Sequence, residues 1–351
     1  MFGIEVIRMP HRTFLQFMWP SLTIMILLIA FPIVSIFVQS LYVEHEQVVI
    51  ETEQCGPFGC SKTTAIDLDA TNKLREEQPL GRFNGFGTYT NRNHLAFSEV
   101  GEAWDSSDSL SDFTSKLLNM PFYKALIFTL SYTFIVTPMV IVLGMLVALG
   151  VNALPKFFKG PTIFFSLLPM IVTPLIGSLI LFWMIDADGV IGASLQILFD
   201  DPDLSLKASP TLTWITLFVY GVWHSIPFSF IVFYAGLQTV PTDTVEAAMI
   251  DGASRWERIR YIVIPHMAPL LTFVALMQLM DNFRVFEPIV GFAAEANATS
   301  LSWIIYHDLK EGDAQLFGSA AATSMLTIVG IAILLTPVLI RTWRGFNKKP
   351  A

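Results

Sequence analysis

The chain has 351 residues, of which 53% are hydrophobic and only 14% charged, and its mean hydropathy is +0.58. That composition excludes an ordinary water-soluble globule, in which about a quarter of residues are charged, and marks an integral membrane protein. The net charge of −8 is concentrated in one place: between Tyr42 and Pro121 there are thirteen Asp or Glu against six Lys or Arg.

A run of about 20 apolar residues crosses the hydrocarbon core. Such runs occur near Trp19–Leu41, Ala125–Val151, Thr162–Ile185, Leu212–Leu237, Ala268–Val290 and Phe317–Ile340, so an all-α membrane protein with six transmembrane helices is expected. The first run contains Pro20 and Pro32 and lacks a small-residue cleavage site after it, which reads as a retained helix rather than a signal peptide. Arg8, His11 and Arg12 precede it, and Trp19 suits the headgroup level.

Eleven Lys or Arg fall on one side of these spans (Arg8, Arg12, Lys156, Lys159, Arg255, Arg258, Arg260, Arg341, Arg344, Lys348 and Lys349), against Lys207 and Lys310 in the short loops opposite. The positive-inside rule then puts both termini in the cytoplasm and the long acidic loop outside. The expected organisation is a cytoplasmic tail (1–18), a first helix (19–41), an external insert (42–122), a core of five helices (123–340) and a second cytoplasmic tail (341–351). The insert is polar and poor in aliphatic residues in its middle, which fits either a small folded unit or irregular chain. Both cysteines lie in it as Cys55-Gly-Pro-Phe-Gly-Cys60. In an oxidising compartment they are expected to form a disulfide; reduced thiols in a loop are the alternative. A metal site would need more ligands than this stretch has.

Further along, the second helix holds Gly144 and Ala148, small residues that let helices approach closely in lipid. The third contains Pro169 and Pro174 and is expected to kink. The fourth carries His224 and Ser225 beside Pro227, and the fifth carries Gln278, Asp281, Asn282, Arg284 and Glu287 in an otherwise apolar run. Polar groups at that depth need water, partners or a ligand, and so point to a cavity. Asp281 and Arg284, three apart, also suit an ion pair.

Between the fourth and fifth helices lies a soluble-looking stretch, Glu246-Ala247-Ala248-Met249-Ile250-Asp251-Gly252-Ala253-Ser254 and on to Ile262-Val263-Ile264-Pro265. Asp243 with Glu246, and Ser254 with Glu257, have capping-box spacing, and Gly252 can supply a turn, so two short helices are expected. This pattern resembles the EAA loop of binding-protein-dependent ABC importers, with Ile264 in place of the usual Leu before the final Pro. Two other stretches carry the resemblance. Phe83-Asn84-Gly85-Phe86-Gly87-Thr88-Tyr89 is similar to a motif of carbohydrate importers, with Thr88 where they have Asn, and Asn119-Met120-Pro121-Phe122-Tyr123 is similar to their lead-in to the second helix.

The resemblance implies a type I importer permease of the carbohydrate-uptake class, close to the longer membrane subunit of maltose and glycerol-phosphate permeases. It implies as partners a second homologous permease, two copies of an ATPase and a periplasmic substrate-binding protein, in a bacterial inner membrane. It gives Glu246, Ala247, Ala248, Asp251, Gly252, Ala253, Ile262 and Pro265, within a loop spanning 241–265, the role of docking on the ATPase. For the solute it implies Gly221, His224, Ser225 and Phe228 on one helix and Gln278, Asp281, Asn282 and Val285 on the next. Sugars, oligosaccharides, polyols and sugar phosphates all fit the class.

The chain has no G-x-x-x-x-G-K-[ST], H-E-x-x-H or G-x-S-x-G, so ATP and Mg are expected on the partner ATPase, with neither a cofactor nor catalysis of its own in this subunit. A secondary transporter or channel without an ATPase, a permease for another kind of solute and a membrane enzyme using Asp281, Arg284 and His224 are the alternatives.

Overall fold

The computed structural model describes residues 11–45, 48–56, 59–310 and 316–346, with backbone alone at 11–13, 51–65, 68, 75, 345 and 346. Among the described residues, four helices are long and apolar enough to cross a membrane: α1 (Phe14–Ser40), α2 (Pro121–Ala153), α3 (Pro210–Leu237) and α4 (Phe317–Arg344). Two further spans are bent pairs, Lys156–Ile171 with Pro174–Met184 at 92° and Arg255–His266 with Ala268–Phe283 at 69°. The chain is thus a multi-pass, mostly helical membrane protein.

Proline accounts for most departures from straight helix. Pro32 and Pro265 each follow a π-helical turn, Ile26–Ala30 and Ile259–Val263. A proline ring collides with the carbonyl four residues earlier and offers no N–H. The widened turn accommodates both defects by moving the neighbouring bonds to i−5, as in Phe31 N–H to Ile26 O and Ile264 N–H to Ile259 O. The third span, expected as one kinked helix over 162–185, is instead broken, because Thr173 precedes Pro174 and is held extended (φ −63°, ψ 145°).

The chain divides into two compact units, 1–96 with 307–325, and 97–306 with 326–351. In the first, the described part of the polar insert includes two short antiparallel pairings and a helix. Val49–Gly56 and Gly59–Ile66 pair as an antiparallel hairpin, and Tyr42–Val43 pairs with Arg82–Phe83. The helix Leu68–Glu77 is capped by Asp67, which accepts from the Ala70 N–H. In the hairpin register Cys55 stands opposite Cys60, but their side chains lie outside the described part. His94 is fully buried; its Nδ1 meets Asn91 Oδ1 at 2.8 Å and its Nε2 meets Thr323 Oγ1 at 3.0 Å. Burial holds its pKa below the ordinary histidine value, against the opposing pull of a bond to Ser319 O and the Asp308 charge.

The second unit is built on α2 and α3. Phe128, Tyr132, Val136, Val140 and Ala148 recur along α2 at multiples of four residues and are all buried, a single stripe of the helix surface. Gly144 belongs to the same stripe. A Cβ there would come within 2.7 Å of Ser229 Cβ on α3, so its lack of a side chain sets how closely the two helices pack. Outside the spans, Asp186 is paired with Lys207 at 2.6 Å, and Lys207 Nζ also sits 3.4 Å from the centre of the Phe182 ring. The hydrogen bond from Lys207 holds the Asp186 carboxyl below its usual range.

Candidate functional site: a polar cavity and an exposed hairpin

The break in the third span shapes one wall of a cavity. A broken helix leaves backbone carbonyls without their intrahelical donors, which is costly in a membrane. One side chain of α3 supplies such a donor, His224 Nε2–H to Val172 O at 3.2 Å, and Tyr220 O–H on the same helix donates to Pro174 O, at the start of the second half, at 2.7 Å. The two rings stack loosely, with centroids 5.9 Å apart and planes 30° from parallel. His224 is therefore engaged with protein backbone while it borders the cavity.

The cavity has a volume of about 540 Å³. Seven of the eight solute residues expected from the sequence line it: His224, Ser225 and Phe228 from α3, then Gln278, Asp281, Asn282 and Val285 from the fifth span. Gly221 does not. It is buried, and a Cβ there would meet the Tyr132 hydroxyl, itself part of the lining. The cavity is also bordered by Tyr132, Met170, Pro174, Met277, Arg284, Glu287 and Pro288. Arg284 and Glu287 were visible as charges in an apolar run; Tyr132 and Met170 come from other helices and carry no local sign of this position.

Polar groups on the wall are partly satisfied among themselves. Asn282 and Gln278 are 5% and 4% exposed. Asn282 Nδ2 donates to Thr137 Oγ1 at 2.9 Å and to Gln278 Oε1 at 3.5 Å. This arrangement leaves Asn282 Oδ1 and Gln278 Nε2 with no bond to the described residues, one acceptor and one donor beside the cavity. Arg284 Nη2 donates to Asp281 Oδ1 at 3.0 Å, closing the i, i+3 pair anticipated from the sequence. Phe228 adds a flat apolar surface and leans toward Phe273, with ring centroids 6.4 Å apart.

The second candidate element is the hairpin between α3 and the fifth span. Its first helix is Thr242–Ile250. The capping box proposed for Asp243 and Glu246 does not form, because the helix begins after Pro241 and Asp243 is already in the first turn, where its charge suits the helix dipole. The second box does form, with Glu257 N–H to Ser254 Oγ at 3.3 Å and Ser254 N–H to Glu257 Oε2 at 2.7 Å. Gly252 joins the helices at φ +80°, the left-handed region where a side chain is strained. Around it, Gly252 N–H donates to Met249 O at 3.1 Å and Ala253 N–H to Ala248 O at 2.9 Å.

Glu246, Ala247, Asp251, Gly252 and Pro265 are exposed, whereas Ala248, Ala253 and Ile262 are half-buried. Around them Ile250 is 87% and Trp256 65% exposed. Apolar side chains so exposed at the end of a membrane helix pair form a surface suited to a protein partner.

A bundle of proline-broken helices enclosing a polar cavity, with a glycine-hinged hairpin outside it, defines a membrane permease. Residues 114–343 match the family described as the binding-protein-dependent transport system inner membrane component. The chain belongs to that family. It is 28% identical over 239 residues to the trehalose/maltose transport system permease protein MalF of Thermococcus litoralis, covering 67% of this chain and 79% of the relative. It is 29% identical over 237 residues to the sn-glycerol-3-phosphate transport system permease protein UgpA of Yersinia pestis, covering 64% and 77%. Among solved structures it resembles a chain of a bacterial ABC transporter that imports the acidic polysaccharide alginate, with a TM-score of 0.60 at 18% identity over 79% of this chain and 96% of that one. That likeness is one of fold.

Proposed function

We propose that this chain is one of two membrane subunits of an ATP-driven importer and that its cavity forms part of the path of a carbohydrate-type solute. The observation that carries the reading is the composition of the cavity: an unpaired amide donor and acceptor, a hydroxyl at Ser225 and the flat face of Phe228 around one space. Hydroxyls pair with such amides in either sense, and the C–H face of a sugar ring packs on an aromatic ring. The names of the relatives, which include trehalose, maltose and glycerol phosphate, support a solute of this class.

In this reading the second permease completes the path, two copies of an ATPase hold ATP and Mg, and a periplasmic binding protein delivers the solute. The complex sits in the inner membrane with both termini and the hairpin in the cytoplasm. ATP binding closes the ATPases and moves the hairpins of both permeases. The helices then exchange between inward-open and outward-open packings, and hydrolysis resets them. The exposed face around Gly252 is the contact through which that motion passes. The subunit carries no reaction of its own.

The test is uptake by the reconstituted transporter. Proteoliposomes holding this chain with its partner permease and ATPase, supplied with the binding protein, should accumulate a neutral oligosaccharide only with internal or external ATP on the ATPase side. Uptake by this chain alone, driven by an ion gradient and indifferent to ATP, would assign it to secondary transport instead.

A further inference from the structure

The cavity wall supplied by this chain carries an unbalanced charge. Asp281 and Arg284 face each other at 3.0 Å and neutralise one another. Glu287 lines the same cavity, and among the described residues its carboxylate makes no hydrogen bond and no ion pair. Its backbone is anchored, since Glu287 O accepts from Ser178 Oγ at 3.3 Å and Pro288 beside it is buried. The backbone is thus held in position, while the side chain is exposed at the cavity with its charge uncompensated. His224, on the α3 side of the cavity, donates its Nε2–H to Val172 O and makes no bond to Glu287.

We infer that Glu287 is a specificity-determining residue: it makes the cavity negative, so that neutral or amino-bearing polyhydroxylated solutes enter and solutes bearing a phosphate or carboxylate are rejected. The inference rests on the reading of the cavity as the solute's path. Its physical basis is that one sign of charge on the wall of a cleft with low-dielectric sides repels an entering anion and attracts a cation more strongly than the same charge on an open surface. The chemistry of the other lining groups does not oppose it, because Asn282, Gln278 and Ser225 bind hydroxyls of either kind of solute. Among the polyhydroxylated solutes open to this class, the charge on Glu287 therefore separates neutral sugars and polyols from sugar phosphates and uronates.

The charge can be read without knowing the solute. In the whole transporter in membrane vesicles, with Cys55 and Cys60 replaced by Ser, a reporter thiol is placed on the wall as Ser225→Cys. Its rates of modification by a trimethylammonium-bearing and a sulfonate-bearing alkyl thiosulfonate are each divided by the rate for a free small thiol. The corrected ratio should favour the cation by about tenfold and should fall towards unity with Glu287→Gln, while Glu287→Asp retains much of it. A ratio near unity in the parent, a ratio that Glu287→Gln leaves in place, or a thiol that neither reagent reaches overturns the inference.

A second arm follows ATP-driven uptake of a neutral oligosaccharide and of the same compound with one primary hydroxyl oxidised to a carboxylate. Glu287→Gln should raise the acid's uptake relative to the neutral compound several-fold. An unchanged preference alongside a changed labelling ratio overturns the filter role and leaves the transport reading standing. Failure of the parent transporter to take up the neutral compound with ATP is instead the failure of the transport reading, and is seen before any variant is made.

Discussion

The cavity wall and the hairpin are made of similar lengths of helix, yet they use opposite physics. On the wall, polar side chains are buried and restrained by one another, as in the bonds from Asn282 to Thr137 and Gln278. On the hairpin, apolar side chains such as Ile250 and Trp256 stand exposed, and nothing lies within 4 Å of where a Gly252 Cβ would be. Buried polar groups specify a small ligand because each one left unpaired is costly. Exposed apolar groups specify a protein surface because covering them removes water from a broad area. In the proposed reading, the difference separates solute recognition from partner docking within a single compact unit.

The largest expected effect comes from breaking the hairpin while leaving the wall intact. Gly252→Val meets no neighbour, so its cost is that of a β-branched residue at φ +80°, about 1–3 kcal/mol. Insertion into the membrane should be normal, but the ATPase should dissociate or hydrolyse ATP without response to solute. Gly252→Asn, which tolerates the left-handed region, should keep most of the coupling. Co-purification of the ATPase together with solute-stimulated hydrolysis checks both.

Wall substitutions come next and should show the reverse pattern. Asn282→Ala leaves Thr137 without its donor at a cost of about 1–3 kcal/mol, and Phe228→Ala removes the apolar face. Each should lower uptake strongly while assembly and basal ATP hydrolysis persist. A smaller effect is expected from Tyr220→Phe, which deletes the hydroxyl bonded to Pro174 O and loosens the break by about 1 kcal/mol. Thermal unfolding of the purified complex should detect it as a modest loss of stability with uptake retained.

The smallest effects fall in the first unit. Because His94 has a folded pKa below its unfolded value, the unfolded chain binds more protons as the pH falls below about 6.5. The stability His94 confers is present above that pH and is lost as the pH drops towards the folded value; His94→Gln should flatten this dependence in a stability profile from neutral to acidic pH. Cys55 and Cys60 should form a disulfide outside the membrane that transport does not need. Labelling of exported protein without reductant should find no free thiol, and the double Ser variant should transport normally.

Much of this was legible in the sequence. Spans one, two, four and six appear as long apolar helices because transfer free energy sums over about twenty residues and is insensitive to detail. The hairpin was readable because the Ser254 box and the Gly252 turn are local. What the sequence did not reveal depends on contacts between distant residues. Gly221 lies on the helix bearing His224 and Ser225, but the Tyr132 hydroxyl from another helix occupies the space in front of it. His224 looked like a group awaiting a ligand because the carbonyl it bonds, Val172 O, is freed only by the break at Pro174, 50 residues earlier. The Asp243 box failed for a local reason, since Pro241 starts the helix before Asp243 can cap it.

The separation of the two elements is tested most directly by measuring solute uptake and solute-stimulated ATP hydrolysis in the same proteoliposomes for Gly252→Val and for Phe228→Ala combined with Asn282→Ala. The hairpin variant should lose both activities together. The wall variant should lose uptake while its assembly and basal hydrolysis match those of the parent. Uptake by the wall variant at the parent rate and with unchanged solute preference, or normal solute-stimulated hydrolysis by the hairpin variant, would contradict the account.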